Sequence, residues 1–156
     1  TKGKTKDRMA RDLPPLGATR LVFYRADHSV CLPSLDAQPR LQKIAIEACR
    51  QCGRSAIPIV EVMNDPLSIV YERESIDPIH SLLFWESMNP SDDWRQNQYA
   101  ETAALIFGPE GGFSEEEIRW FQSRNIPLAS MGRRILRTEL AATVGTTLVQ
   151  SHRRIL

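Results

Sequence analysis

Hydrophobic and polar positions along this chain alternate between short apolar runs and stretches with helical spacing. The clearest helical stretch is 40–52, where apolar side chains recur every three or four residues. Gly53 follows at once and predicts the end of that helix. The apolar runs predict five strands, at 21–24, 57–63, 81–85, 103–107 and 128–131.

Two further helices are predicted from local signals. Ser114 and Glu117 have the spacing of a capping box, so a helix should begin there and end before Pro127. The last helix is predicted at 138–153, and its small residues are Ala141, Ala142 and Gly145. Small side chains let another backbone approach closely, so this helix should pack deeply or meet a partner subunit.

Strands that alternate with helices predict an α/β fold with a parallel sheet. The run 103–107 is apolar throughout, as expected of a strand covered on both faces. Residues 86–99 are polar and have no period, so they predict a long surface loop.

Length and composition set the broad class of protein. The chain has 156 residues, of which 42% are hydrophobic and 25% charged, which suits one globular domain. No run approaches the roughly 18 apolar residues of a membrane-spanning helix, so no membrane association is expected. The charged start lacks an apolar signal core and predicts a cytoplasmic protein or a domain excised from a longer one. The absence of an initial Met favours the excised domain.

The net charge of +1 hides an uneven distribution. Basic residues gather near both ends: Lys2, Lys4, Lys6, Arg8 and Arg11 at the start, and Arg133, Arg134, Arg137, Arg153 and Arg154 towards the finish. Such clusters can form a patch that attracts phosphate backbones, or they can simply be solvated chain ends. Composition alone favours the second interpretation.

Three cysteines give an odd count and no disulfide framework, which favours a reducing compartment. Cys49 and Cys52 form a C-x-x-C pair, but it lies in a helical pattern with no second pair and no clustered His. We interpret them as structural thiols, with redox activity or metal binding as the alternative. No metal site is expected.

A glycine-bearing loop, Gly108-Pro109-Glu110-Gly111-Gly112, follows the apolar strand 103–107. Ligands bind open α/β sheets at the carboxyl ends of strands, and glycine permits close approach of the backbone to a ligand. The loop matches neither a Walker loop nor G-x-G-x-x-G, and nearby glutamates oppose a triphosphate. A positively charged, adenosine-type ligand suits it better, although such a loop can also be a plain turn.

A second loop leaves the strand 128–131 through Gly132 and leads into the last helix. Thr138 and Glu139 open that helix, where free N–H groups can bind a polar ligand, or where both residues act only as a cap and a first-turn acid. Arg133, Arg134 and Arg137 exceed what capping requires. Arginine matches phosphate geometry, so the three indicate a nucleic-acid contact.

The two loops together resemble a known family. Leu105-Ile-Phe-Gly-Pro-Glu-Gly-Gly-Phe-Ser and Met131-Gly-Arg-Arg-Ile-Leu-Arg-Thr-Glu-Leu-Ala are similar to the paired signature of RsmE-type 16S ribosomal RNA uridine-N3 methyltransferases, members of the SPOUT superfamily. The helix that ends in Gln51-Cys-Gly-Arg54 also resembles that family. The resemblance spans about 41–148.

The resemblance implies a fold, a cofactor and partners. The fold is a SPOUT-type parallel sheet flanked by helices with a carboxyl-terminal trefoil knot, formed by residues 1–156 as a methyltransferase domain. The methyl donor is S-adenosylmethionine (SAM), the target is a uridine in small-subunit ribosomal RNA, and the assembly is a homodimer. The implied cofactor-binding residues are Phe107, Gly108, Pro109, Glu110, Gly111, Gly112, Met131, Gly132, Ile135, Leu136 and Arg137, with Glu86 completing the pocket.

This chain also departs from the family pattern. Leu140 stands where members usually have Thr, and two prolines in Leu13-Pro-Pro-Leu-Gly17 should break the family's first helix. Full members carry an amino-terminal RNA-binding domain of PUA-like barrel type, for which this chain has no room.

The implied chemistry assigns roles to a few polar residues. Arg137 would stabilise negative charge on the uridine or bind an adjacent phosphate, and Glu139 would accept the proton or act only as a cap. Arg54, Arg133 and Arg134 would contact RNA, with a surface ion pair as the alternative for Arg54. Methylation of another RNA, such as a tRNA, and RNA binding without catalysis remain alternative functions.

Overall fold

The computed structural model describes residues 3–30, 34–86, 104–132 and 134–153. Helices in these ranges are α1 (Gly3–Asp12), α2 (Gln38–Cys52), α3 (Leu67–Arg73), α4 (Glu115–Ser123) and α5 (Thr138–His152). Strands are β1 (Arg20–Arg25), β2 (Ile59–Pro66), β3 (Ser81–Phe84), β4 (Ala104–Phe107) and β5 (Leu128–Ala129). Short 3-10 turns occur at Leu35–Ala37 and Pro78–His80.

All the strand pairs in the described ranges are parallel. β1 pairs with β2, and β3 lies between β4 and β5 in a three-stranded sheet. The predicted parallel α/β arrangement is confirmed. Because parallel strands end on the same side of a sheet, the segments that follow β3, β4 and β5 meet at one edge.

Tyr24, at the end of β1, connects the two sheets. Its hydroxyl donates to the main-chain carbonyl of Phe107, at the end of β4, over 2.8 Å. Burial raises the pKa of Tyr24 far above its usual value because the phenolate would be desolvated, and the negative charge of Glu117 acts in the same direction. The hydroxyl therefore stays protonated and remains a donor.

Burial differs sharply between neighbouring strands of the three-stranded sheet. β3 is buried at all four positions, whereas in β4 only Ile106 is fully buried. The predicted coverage on both faces is observed for residues 105–107, because Ile106 packs into one core cluster while Leu105 and Phe107 pack against another, although β4 is last in the strand order of its described sheet. An apolar run alone does not distinguish a central strand from an edge strand.

Helix α5 packs closely on β3 and β4, as its small residues predicted. The rings of Phe84 and Phe107 are stacked with their centroids 5.0 Å apart. A Cβ atom on Gly145 would lie only 2.7 Å from Cε1 of Phe107 and 3.0 Å from the Phe84 ring. Deep packing of this helix is confirmed.

Two helices were not predicted. In α3 the buried side chains of Leu67, Val70 and Tyr71 follow helical spacing, so the signal was present directly after the turn residues at 64–66. α1 is strongly polar, and it ends at Asp12, so Pro14 and Pro15 follow this helix instead of breaking it.

Some boundaries also differ from the prediction. β2 begins at Ile59 and continues through the predicted turn to Pro66, and β5 has two residues instead of four. Gly53 does end α2, in the left-handed conformation with φ of +74°. Of the long loop predicted at 86–99, residues 87–99 lie outside the described residues.

The structural interpretation fits the buried Cys49 and is not tested for the other two cysteines. Cys49 is buried in α2 and Cys52 is exposed, and both are free thiols, while Cys31 lies outside the described residues. The described ranges contain no group of three or more His, Cys, Asp or Glu residues placed to hold a metal ion. None of their helices is both long enough and apolar enough to cross a bilayer.

Candidate functional site

The two glycine loops lie side by side at the carboxyl ends of β4 and β5. Thr138, the first residue of α5, joins them directly, because its hydroxyl donates to the main-chain carbonyl of Gly108 over 3.0 Å. The predicted capping role of Thr138 is therefore replaced by a bond between the loops. The sequence predicted each loop, and the structure brings them into contact.

The first loop is a tight turn whose backbone is closely surrounded. The N–H of Gly112 donates to the carbonyl of Pro109 over 2.9 Å, and Gly112 has a φ of +73°. A Cβ on Gly111 would lie 2.8 Å from the carbonyl oxygen of His28. A Cβ on Gly108 would lie 3.0 Å from the Phe113 ring. Glycine is thus required for packing at Gly111 and for backbone conformation at Gly112.

A third segment, residues 26–29 after β1, supports the first glycine loop. Ser114 donates from its hydroxyl to a carboxylate oxygen of Asp27 over 2.6 Å, and the N–H of Asp27 donates to Glu117 over 3.2 Å. The predicted capping box of α4 is present, since Ser114 and Glu117 bond each other's backbone N–H. Glu117 therefore caps α4 and also fixes the turn at 26–29.

Sequence reasoning missed the supporting role of Asp27 and His28. A usable signal existed, because both residues directly follow a predicted parallel strand, where functional loops concentrate. What the sequence did not show was that Tyr24 of β1 would bond Phe107 at the end of β4.

Glu86 lies against the first glycine loop, as predicted. Its Oε1 atom is 2.6 Å from the position that a Cβ on Gly112 would take, and its side chain is exposed. The following residues, 87–103, lie outside the described residues. Its part in binding a cofactor stays a prediction.

The second loop presents apolar and basic side chains to solvent. Ser130 turns this loop by bonding both the N–H and the carbonyl of Gly132, whose φ is +110°. Ile135 is 80% exposed, an unusual state for a large aliphatic side chain, while Leu136 is half-buried. Arg134 is exposed, and Arg133 lies outside the described residues.

Arg137 occupies the N-cap position of α5. Its main-chain carbonyl accepts from Ala141 over 2.8 Å, but its side chain makes no capping bond. Within the described part of the chain the exposed guanidinium has no ion pair or hydrogen bond, so it is available to an anionic substrate group.

Glu139 lies in the first turn of α5 and faces helix α1. Its carboxylate is 3.6 Å from the guanidinium of Arg8, and its side chain is only 14% exposed. A carboxylate held there can serve as a proton acceptor, and it also favours the helix start electrostatically. Both roles that the sequence suggested remain open.

Arg54 has a structural role that the sequence did not predict. Its guanidinium donates to the main-chain carbonyls of Pro14 at 2.5 Å, Ala18 at 2.7 Å and Gly17 at 3.5 Å. Arg54 therefore bonds main-chain carbonyls and not the carboxylate of a surface ion pair, which was the alternative that the sequence suggested. These bonds use three of the five N–H donors of the guanidinium, so an RNA contact by Arg54 stays a prediction.

Two open concavities of the described surface lie away from the glycine loops. One has a volume of about 650 Å³ and lies between α1 and α2. The other, of about 430 Å³, is lined by α1, α2 and Thr143 of α5. Neither concavity is lined by residues of the glycine loops. A binding site at these loops is indicated by their chemistry.

The fold and the paired loops define a parallel α/β domain with a ligand edge built mainly from backbone. The RNA methyltransferase domain family matches residues 1–150, so the chain belongs to that family.

Curated relatives carry one common name. The ribosomal RNA small subunit methyltransferase E of Helicobacter pylori is 31% identical over 88% of this chain and 58% of its own length. The protein of the same name from Synechocystis is 27% identical over 96% of this chain and 50% of its own length. The chain thus spans between half and three-fifths of these two relatives.

Solved structures show the same fold with a bound cofactor. A putative methyltransferase from Legionella pneumophila, in complex with SAM, superposes with a TM-score of 0.79 at 28% identity, over 94% of this chain and 61% of that one. A ribosomal RNA small subunit methyltransferase E from Neisseria gonorrhoeae, bound to SAM, gives 0.77 at 25% identity, over 95% and 61%.

Proposed function

We propose that this protein transfers a methyl group from SAM to N3 of a uridine in small-subunit ribosomal RNA. The observation that carries the proposal is the bond between Thr138 and Gly108, which joins the two loops that bear the family's paired motifs. Family membership, the name of the curated relatives and SAM in two similar structures support the same activity.

The residues present fit an adenosine-type cofactor. Close packing around Gly111 and Gly112 fixes the inner side of the first loop, so its backbone groups can face a ligand on the outer side. Ile135 offers an exposed apolar surface beside the polar backbone of Gly132. The cofactor would be held by residues 107–112 together with Glu86, Met131, Gly132, Ile135, Leu136 and Arg137. When bound, SAM supplies a methyl group attached to a positively charged sulfur.

The chain's own residues would prepare the uridine. Loss of the N3 proton leaves negative charge on the base, and the free guanidinium of Arg137 would stabilise that charge. Glu139, directly or through water, would accept the proton while Arg8 holds its carboxylate in place. The deprotonated N3 would then face the methyl group that bound SAM supplies. Positioning of the two reactants supplies much of the rate.

The proposal includes a carboxyl-terminal trefoil knot and a homodimer. The family resemblance supports the knot. The dimer is supported by Leu140 and Leu148 of α5, which are 49% and 41% exposed, because exposed apolar side chains on one helix suit a subunit contact.

A direct test combines calorimetry with mapping of the product. The folded chain is expected to bind SAM and to methylate N3 of one uridine in 16S ribosomal RNA, located by mass mapping of nuclease fragments. A folded chain that gives no heat with SAM would contradict the cofactor assignment. A methylated tRNA, or RNA binding without SAM binding, would support the corresponding alternative function.

Replacement of Thr138 by Val is expected to weaken SAM binding about threefold to tenfold. The change keeps the side-chain shape but removes the only hydroxyl that joins the two loops in the described residues, and a hydrogen bond contributes about 1 kcal/mol. Calorimetric titration measures the affinity. Thr147→Val is the matched control, since that hydroxyl bonds only within α5, to Thr143. Equal affinities for the two variants would show that the inter-loop bond is unimportant.

A further inference from the structure

Helix α1 carries a row of basic side chains on its exposed face. Lys4, Arg8 and Arg11 are spaced by four and three residues, which places them on one side of a helix, and all three are exposed. The row is about 10 Å long at 1.5 Å per residue, enough to contact more than one phosphate of a nucleic-acid strand. The row therefore has a length that suits a polymer rather than a single anion.

The row continues into the concavity of about 650 Å³ between α1 and α2. Basic side chains from both helices line it, namely Arg11, Lys43 and Arg50, and Ile44 and Ala48 contribute apolar surface. Glu47 also lines it but lies 3.5 Å from Arg50 in an ion pair. Arg11 and Lys43 have no ion pair among the described residues. The concavity therefore carries uncompensated positive charge above an apolar floor.

The same surface leads to the candidate site. Arg11 also lines the second concavity, together with Asp12, and this concavity reaches Thr143 on α5, one turn after Glu139. One turn before Arg11 on α1, Arg8 pairs with Glu139 itself. Five basic side chains, Lys4, Arg8, Arg11, Lys43 and Arg50, form what we call the α1–α2 track, which reaches the proposed proton acceptor through Arg8. Asp12 and Glu47 are the acidic side chains that line the same two concavities.

We infer that the α1–α2 track binds the phosphate backbone of the RNA substrate and guides the target nucleotide to Glu139 and Arg137. Phosphate contacts of this kind position an RNA without reading its sequence. The open, shallow shape fits a strand, and the apolar floor fits sugars and base faces. The inference rests on the proposed function, because it takes the substrate to be an RNA.

Single charge reversals in the track test the inference. Arg11→Glu and Lys43→Glu are each expected to weaken binding of a short mixed-sequence RNA oligonucleotide about fivefold, measured by fluorescence anisotropy at several salt concentrations. The slope of log affinity against log salt should become shallower by about 0.7 for each lost phosphate contact. Arg119→Glu, on α4 and outside the track, makes the same charge change and should leave the slope unchanged.

Calorimetry with SAM separates this inference from the proposed function. Both track variants should bind SAM as the unaltered chain does, because the glycine loops are untouched. Unaltered RNA binding in the track variants, an equal loss in Arg119→Glu, or no salt-dependent binding by the unaltered chain would each overturn the inference. The inference would also be overturned if a track variant bound RNA normally but sedimented with a different mass from the unaltered chain. That result would show that a second copy of the chain covers the track. If the unaltered chain did not bind SAM, that result would instead count against the proposed function.

Discussion

Gly111→Ala is expected to reduce SAM affinity by about tenfold or more while the chain still folds. The new Cβ would lie 2.8 Å from the carbonyl oxygen of His28 and 2.9 Å from the His28 Cβ. A main-chain oxygen cannot rotate aside as a side chain can, and overpacking of this kind costs typically 1–3 kcal/mol. Ser114 and Glu117 anchor residue 27, so the glycine loop is expected to move while His28 stays in place. Calorimetric titration with SAM measures the loss.

Gly53→Ala is a suitable control for Gly111→Ala. Gly53 has a φ of +74°, so alanine is strained there, but apart from its own neighbours in the chain no described residue comes within 4 Å of the added Cβ. This variant should lose stability in urea unfolding and keep its SAM affinity. A normal affinity in Gly111→Ala would show that the loop tolerates the shift and that close packing on His28 does not shape the cofactor site.

The sequence predicted those parts of the fold that depend on local chemistry. The capping box at Ser114, the end of α2 at Gly53 and the deep packing of α5 follow from spacing or side-chain size within one segment, and all three are present. Such signals act over a few residues, so a single sequence contains them in full.

Features that depend on strand order escaped sequence reasoning. The apolar run of β4 did not show that this strand is last in the order of its described sheet, and β1 gave no sign that Tyr24 would bond Phe107. The sequence of one strand does not determine its burial or its partners, because both depend on which neighbouring elements pack against it.

The candidate site shows the same difference between local features, which the sequence predicted, and contacts between distant segments, which it did not. Both glycine loops were predicted individually, but their joint hydrogen bond at Thr138 spans thirty positions and became visible only in the fold. Arg54 is the opposite case, since a basic residue beside a helix end suggested RNA while the fold uses it to hold the carbonyls at 14–18. An arginine has five donors, and one sequence does not show whether protein or ligand accepts from them.

Arg137→Ala is expected to lower the rate of methyl transfer about 100-fold, equivalent to about 2.7 kcal/mol of lost transition-state stabilisation. The guanidinium is exposed and is unpaired among the described residues, and Arg137 directly precedes Thr138, whose hydroxyl bonds Gly108. Its removal would leave the negative charge that develops on the uridine without its cation. Single-turnover kinetics with saturating SAM and RNA measures the chemical step.

A change in folding stability should not account for the lower transfer rate of Arg137→Ala. The Arg137 side chain makes no capping bond, and its main-chain carbonyl, which accepts from Ala141, survives the substitution. Urea unfolding of Arg137→Ala should therefore match that of the unaltered chain to within about 0.5 kcal/mol, as for other surface substitutions. Arg119→Ala, an equally simple truncation of an exposed arginine, should leave the transfer rate unchanged. If Arg137→Ala transferred methyl groups at the normal rate, the stabilising charge would have to come from another residue, and Arg134 in the same loop is the nearest described candidate in sequence.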